Sequence, residues 1–385
     1  MVGMVATAGV GGAAPWPLPP IDGAFSGEFV PPGGDKPPIV AWQVAVKSPQ
    51  ADTRTFSVDA TSAGEELVLA ADGRVKADRA ATWRLTEGRL EIAPWLPTVR
   101  FLVPAWPAAL TVAGTLRGSG HGQWPPESAR PSGTVKFDGG GITVDWSELP
   151  LSFHDVALEG SVEVASSDAE VSLRAARGEA VGWAWSDLSA ELGWNAADGL
   201  LAVKQVQVRA AGGVVTSGPF SLDPAEPRLD LQLHFVGVQL ETFARLLPDV
   251  VAEARGEVSG NVGLTWSAAD GLTIKGGQIA LREGSSAQLR LRPTPGLITN
   301  QLPPQSPAFE PLQRVEMGKT PLAVRALLLA LEPADDPQGR SAVLRVEAEP
   351  LDPGIKAPII INVNVSGPLN QLIKLSMDDR VKFGG

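Results

Sequence analysis

Apolar and polar residues alternate with period two over most of this chain, the spacing that sends successive side chains to opposite faces of a β-strand. Val40, Trp42, Val44 and Val46 are separated by Ala41, Gln43 and Ala45. Leu229, Leu231, Leu233 and Phe235 are separated by Asp230, Gln232 and His234. Val135 and Phe137, Ile142, Val144 and Trp146, and then Val156, Leu158, Val162, Val164, Val171 and Leu173 continue the pattern. A sheet that is apolar on one side only must bury that side against something. Between the runs stand turn signals. WNAADGL at 194–200 returns as WSAADGL at 266–272, and its AADG core stands again at 70–73. Each copy reads as a hairpin turn, because Gly accepts φ > 0 freely and Asp tolerates it. Thr86-Glu87-Gly88 reads as a further turn, and the chain as a repeated β scaffold.

One helix is expected over Gln239–Ala254, from Leu240, Phe243, Leu246, Leu247, Val250 and Val251 at helical spacing, with Pro248 placed to kink it. A weaker helix spans Pro307–Met317. Residues 322–331 read as a strand or short helix, and 343–347 and 359–365 as strands. Three regions follow. Residues 1–38 form a Pro/Gly-rich arm with a strand near Phe25–Val30. Residues 39–133 hold short strands, interrupted at Pro94, Pro97, Pro104 and Pro107 and ending in a Gly/Pro/Ser-rich break at 117–133. Residues 134–385 form a cleaner β region that contains the helix. The expected class is mainly β, with many short antiparallel strands and one or two short amphipathic helices.

Composition narrows the function. Gly (42) and Pro (34) make up about a fifth of the 385 residues, against a usual ~12%, as many short strands and turns require. The net charge of −11 argues against a nucleic-acid partner, which needs a basic footprint, and against tight binding to anionic headgroups. The absence of Cys removes disulfides, thiolate metal sites and thiol nucleophiles. Ten of the eleven Trp precede residue 195; in this setting Trp reads first as a β former and only second as a membrane anchor. No stretch approaches the ~18–20 apolar residues of a spanning helix. Met1–Ala14 is apolar but lacks the basic start of a signal peptide. The chain is therefore expected to be soluble, and either to act where it is made or to be a piece of something longer.

Candidate chemistry is sparse. His121, His154 and His234 lie in separate segments with no helical-spacing partner, so no metal site is expected. Ser152, His154 and Asp155 are triad residue types, but neighbours on a strand face opposite ways and no nucleophile elbow is present. Gly118-Ser119-Gly120-His121-Gly122 has the glycines of a phosphate loop without the following helix or Lys, and reads as a linker. Asp335-Asp336 and Asp378-Asp379 lack the alternation of a calcium loop. Asn364-Val365-Ser366 is a sequon inside an expected strand. No enzyme and no cofactor are expected.

Three blocks resemble the C-terminal region of the YdbH-type, AsmA-like proteins, once labelled "dicarboxylate transport" and now grouped with bridge-like phospholipid transporters. The first is LDLQLHF from Leu229, with Val238-Gln239-Leu240 and the helix after it. The second is RGEVSGNVGL from Arg255, continuing to GLTIKGGQIA from Gly271. The third is IIINVNVSGPLNQLIKL from Ile359. The resemblance implies a long sheet curved into an apolar groove that conducts phospholipid acyl chains between bacterial envelope membranes. It also implies a periplasmic location, with a small outer-membrane lipoprotein or the membranes themselves at the chain ends. Leu229, Leu231, Leu233, Phe235, Val262, Leu264, Ile274, Ile279, Leu281, Ile361, Val363 and Val365 would line the groove. The family's inner-membrane anchor is not visible in this chain. The alternative is a β-sandwich adhesion or interaction module with a dry core.

Overall fold

The computed structural model describes residues 22–366 apart from 34–37, 51, 103–107, 129, 148–150, 181–182, 224–227, 245–250, 268–270, 334–339 and 353–357. Its strands form one 21-stranded antiparallel sheet, open and not closed into a barrel. A two-sheet sandwich is thereby replaced by a single sheet. The first strands are β1 (Gly23–Phe29), β2 (Val40–Gln50), β3 (Thr53–Ser62), β4 (Leu67–Lys76), β5 (Ala81–Glu91) and β6 (Leu110–Trp124). Next come β7 (Ser132–Trp146), β8 (Leu151–Glu163), β9 (Ala169–Ala180), β10 (Trp183–Asn195) and β11 (Leu200–Ala210). Each pairs with the next, giving a meander.

Beyond β11 the order interlocks. The strands are β12 (Gly213–Ser217), β13 (Phe220–Leu222), β14 (Arg228–Gln239), β15 (Val251–Arg255), β16 (Glu257–Ser267), β17 (Gly271–Leu281), β18 (Ala287–Leu291), β19 (Leu322–Leu331), β20 (Arg340–Pro350) and β21 (Ile359–Ser366). β12 and β13 share the flank of β11, and β14 lies between β12 and β16. β15 and β16 together face β18 and β17, and β19 spans both of those. β20 and β21 follow. Helices α1 (Leu96–Leu102), α2 (Leu240–Ala244) and α3 (Phe309–Glu316) are short. The chain divides into two compact units: residues 1–106, 113–140 and 159–169 form one, and residues 107–112, 141–158 and 170–385 the other.

Several turn signals lie inside strands. The copy at 70–73 sits within β4, where Gly73 stands opposite both Phe56 and Trp83. Gly88 lies within β5 opposite Leu69, just after a register shift beyond Leu85, and not in a turn. Gly118–Gly122 is the interior of β6, not a linker. The physical reason is one of space. A Cβ on Gly122 would collide with the Trp83 ring and the Ser132 carbonyl, one on Gly73 would meet Phe56, and one on Gly27 would lie 2.7 Å from Trp42 Cζ2. Glycine is required because an aromatic ring lies across the neighbouring strand at that point. Gly178 lies likewise beneath Trp185, whose ring centroid is 5.2 Å from that of Phe153. Gly122→Val is expected to expel the Trp83 ring at a cost of about 2 kcal/mol, read as a lower urea midpoint; an unchanged midpoint contradicts this packing.

The turn at 196–199 does join β10 to β11. The third copy's turn residues, 268–270, lie outside the described residues, but Ser267 and Gly271 pair on either side of them. The helix expected over 239–254 ends early. α2 stops at Ala244, residues 245–250 lie outside the described set, and Val251–Arg255 is β15, held by pairing with β18. Tertiary pairing overrides the helical spacing there. α3 falls within the expected 307–317. A short 3₁₀ turn at Ala93–Trp95 and then α1 replace the expected broken strands, with Pro at the favoured first helical positions. Residues 322–331 are strand throughout.

Candidate functional site

Side chains directly opposite each other in an antiparallel pair share a face, so the register of β14 to β21 can be followed across the sheet. Leu231 stands opposite Leu264, which stands opposite Ile274. Leu233, Val262, Gly277, Leu331, Ala342 and Val365 form the next row. Phe235, Gly260, Ile279, Leu329, Leu344 and Val363 form another. Val238, Val258 and Leu281 follow, while Leu327, Val346 and Ile361 complete the far side. Leu229 begins the series, opposite Trp266. The register thus brings all twelve expected lining positions to one face; for Val363 and Val365 this is a statement of backbone position alone. No charged residue stands in these rows.

Burial grades along the face. Leu229, Leu231, Leu233, Val262 and Leu264 are half-buried, whereas Ile274, in the row of Leu231 and Leu264, is 6% exposed. Phe235 is 6% exposed, Ile279 2% and Val258 0%. From Phe235 onward the rows join a packed cluster with Val251 and Ala254 of β15, Leu289 and Leu291 of β18, and Leu322, Val324 and Leu327 of β19. Leu240 of α2 and Val315 of α3 belong to the same cluster. Strands whose one face supplies most of a common core must curl around it. The face is therefore sealed toward α2 and α3 and partly open toward Leu229.

The opposite face carries the charge. Lys275 Nζ lies 2.8 Å from Asp230, Arg282 2.5 Å from Glu257, Arg325 2.6 Å from Glu349 and Arg345 2.7 Å from Glu347. Exposed pairs of this kind add little stability each. Their consequence is that these charges are kept off the apolar rows.

The sealed end is fastened by Glu316, the last residue of α3 and 1% exposed. Its carboxylate accepts hydrogen bonds from the backbone N–H groups of Gly296 (3.2 Å), Ile298 (3.0 Å) and Thr299 (3.0 Å) and from the Thr299 hydroxyl (2.7 Å). Burial raises its pKa, but those donors outweigh burial and hold it below the usual carboxyl value. Arg314 adds a fork to Asp352 at 2.8 and 3.0 Å. Reading the sequence does not single out Glu316, because a lone Glu at a helix end has no motif; the Thr299–Glu316 contact is purely tertiary. The β20 positions Ala342, Leu344, Val346 and Ala348 are different: their strict alternation was open to reading.

Ser152, His154 and Asp155 all lie in β8. Asp155 pairs with Arg177 at 3.7 Å, and its φ of 55° lies in the left-handed region. Among the described residues no group of three or more His, Asp or Glu is placed to hold a metal, and no helix is long and apolar enough to cross a membrane. Asp335-Asp336 and Asp378-Asp379 lie outside the described residues.

No curated protein and no solved structure matches the chain. A family profile does match, over residues 34–306, more than half of the sequence. The match begins well before the blocks that carry the resemblance, so it takes in β2 to β6, and it holds two of those three blocks. An open, mainly β sheet with a segregated apolar face and this match lead to one statement: the chain belongs to the YdbH-like family, described as that of the intermembrane phospholipid transport protein YdbH.

Proposed function

We propose that the half-buried apolar face of β14 and β16 carries phospholipid acyl chains, as a conducting element between two membranes of the cell envelope. The observation that supports this reading most is the uncharged run of Leu229, Leu231, Leu233, Val262 and Leu264, left partly open beside a core that closes fully a few residues further on. Moving acyl chains through water costs ~0.8 kcal/mol per CH₂, on the order of 20 kcal/mol for a two-chain lipid. Contact with such rows offsets most of that cost. Because the attraction is non-directional, a chain slides along them without a deep trap, and no binding residue of fixed geometry is needed. The donor and acceptor partners, membranes or a small outer-membrane lipoprotein, follow from the family resemblance.

Leu231→Asp combined with Leu264→Asp tests this reading. Both side chains are half-buried, so the fold is expected to survive, while phospholipid co-purifying with the chain falls about tenfold as a charge enters the acyl path. Lipid extraction and mass spectrometry provide the readout, with circular dichroism as the fold control. Unchanged lipid content in a folded double variant overturns the proposal. Phe235→Asp is not a clean alternative, because Phe235 is part of the sealed core.

A further inference from the structure

Where β13, β14, β16 and β17 begin and end, a cleft of about 720 Å³ opens at the margin of the apolar face. Its lining is of two kinds. Phe220, Leu229 and Trp266 supply apolar surface; Arg228, Thr265 and Thr273 supply a cation and two hydroxyls. Arg228 is the first residue of β14 and stands opposite Ser267, and Thr265 stands opposite Thr273. Asp230 also lines the cleft, but Lys275 neutralises it through contacts of 2.8 and 3.1 Å. The Arg228 side chain is exposed at the margin of the cleft.

Resting on the acyl-chain reading of the adjacent face, we propose that this cleft is a loading site for a phospholipid, with the headgroup phosphate on Arg228 and the acyl chains passing over Leu229 and Trp266 toward Leu231 and Leu264. Three features support it. A guanidinium matches two phosphate oxygens at once, which an ammonium does not, and the flanking hydroxyls serve the remaining oxygens. Trp266, an apolar ring with a polar edge, suits the boundary between headgroup and hydrocarbon. In a chain of net charge −11 the general field repels phosphate, so an anionic headgroup reaches this face only where a local cation offsets the repulsion. Only at a strand end do both faces contribute to one cleft, and an amphiphile needs both.

The test titrates the full chain with short-chain phosphatidylglycerol below its micelle concentration, and in parallel with inorganic phosphate and with glycerophosphate. Arg228→Glu is expected to weaken phosphatidylglycerol binding about tenfold or more, as loss of a charge-assisted pair implies, with Arg228→Lys intermediate. Both variants should melt like the parent chain, because the residue is exposed at a strand end. The two tailless phosphates are expected to bind far more weakly than the lipid, because they lack the contacts with Leu229 and Trp266. Unchanged lipid affinity in Arg228→Glu overturns the loading site, as does inorganic phosphate binding as tightly as the lipid, which would mark a plain anion site. The Leu231→Asp and Leu264→Asp double variant separates the two ideas. If it loses lipid while Arg228→Glu does not, the loading site fails alone; if neither loses lipid, the acyl-chain reading fails as well.

Discussion

Val258→Asp is expected to abolish folding of the C-terminal unit. Val258 is fully buried, between Val238 and Leu281 on the neighbouring strands, and nothing near it in the cluster can pair with a carboxylate. The effective penalty for an unpaired buried charge is several kcal/mol, and such sites give the rare effects above ~5 kcal/mol. That equals the whole stability of many domains, about 5–15 kcal/mol. Ile360→Asp is the matched control. Ile360 is 55% exposed in β21, and the same charge there should leave the unfolding curve nearly unchanged. Urea unfolding followed by circular dichroism distinguishes the two, and a native-like transition in Val258→Asp contradicts the assigned core.

The second large effect belongs to Glu316. Glu316→Gln keeps the shape but turns one acceptor oxygen into a donor, so two of the four donors now aimed at the carboxylate face an N–H group. Leaving buried donors unsatisfied costs ~1–3 kcal/mol each, so a loss of about 3 kcal/mol is expected. The pH dependence has a definite sign. The folded-state pKa lies below the ordinary 4.5, so near that pH the unfolded chain binds more protons than the folded one. The stabilisation is complete above the unfolded value and disappears as pH falls through the lower folded value. Unfolding free energy should therefore decline below about pH 4.5 in the parent chain, and the decline should be shallower in Glu316→Gln. Parallel curves would show that the carboxylate is not the group responsible.

Period-two alternation made the class of the fold legible, and in β14 it also made the face legible, because Leu229 to Phe235 have polar residues at every second position. Register was not legible. That Leu231 meets Leu264 and Ile274 follows from hairpin lengths and from the bulge between Gly263 and Leu264, neither of which alternation encodes. Glycine misled for a specific reason. In Gly118-Ser119-Gly120-His121-Gly122 the period-two signal is present, but its apolar partner is the Trp83 ring on another strand, so the segment looks like a loop when read alone. The helix expected over 239–254 misled in the opposite way: Val251 satisfies a helical stripe, yet it serves β15. The charge of Arg228 was plain in the sequence, whereas its place beside Trp266 depends on two strand ends meeting.

The pairing pattern also has an evolutionary consequence. From β2 to β10, among the described residues, each strand pairs with the strands before and after it in the chain, so the stabilising contacts add up locally, as in repeat proteins. Duplicating or deleting a hairpin in that stretch adds or removes two strands while the other strand pairs are kept. From β14 to β20 the pairing of β15 with β18, and of β19 with both β17 and β18, forbids such editing. Homologues of differing length should therefore vary by whole hairpins ahead of β12 and hold a constant strand count behind it.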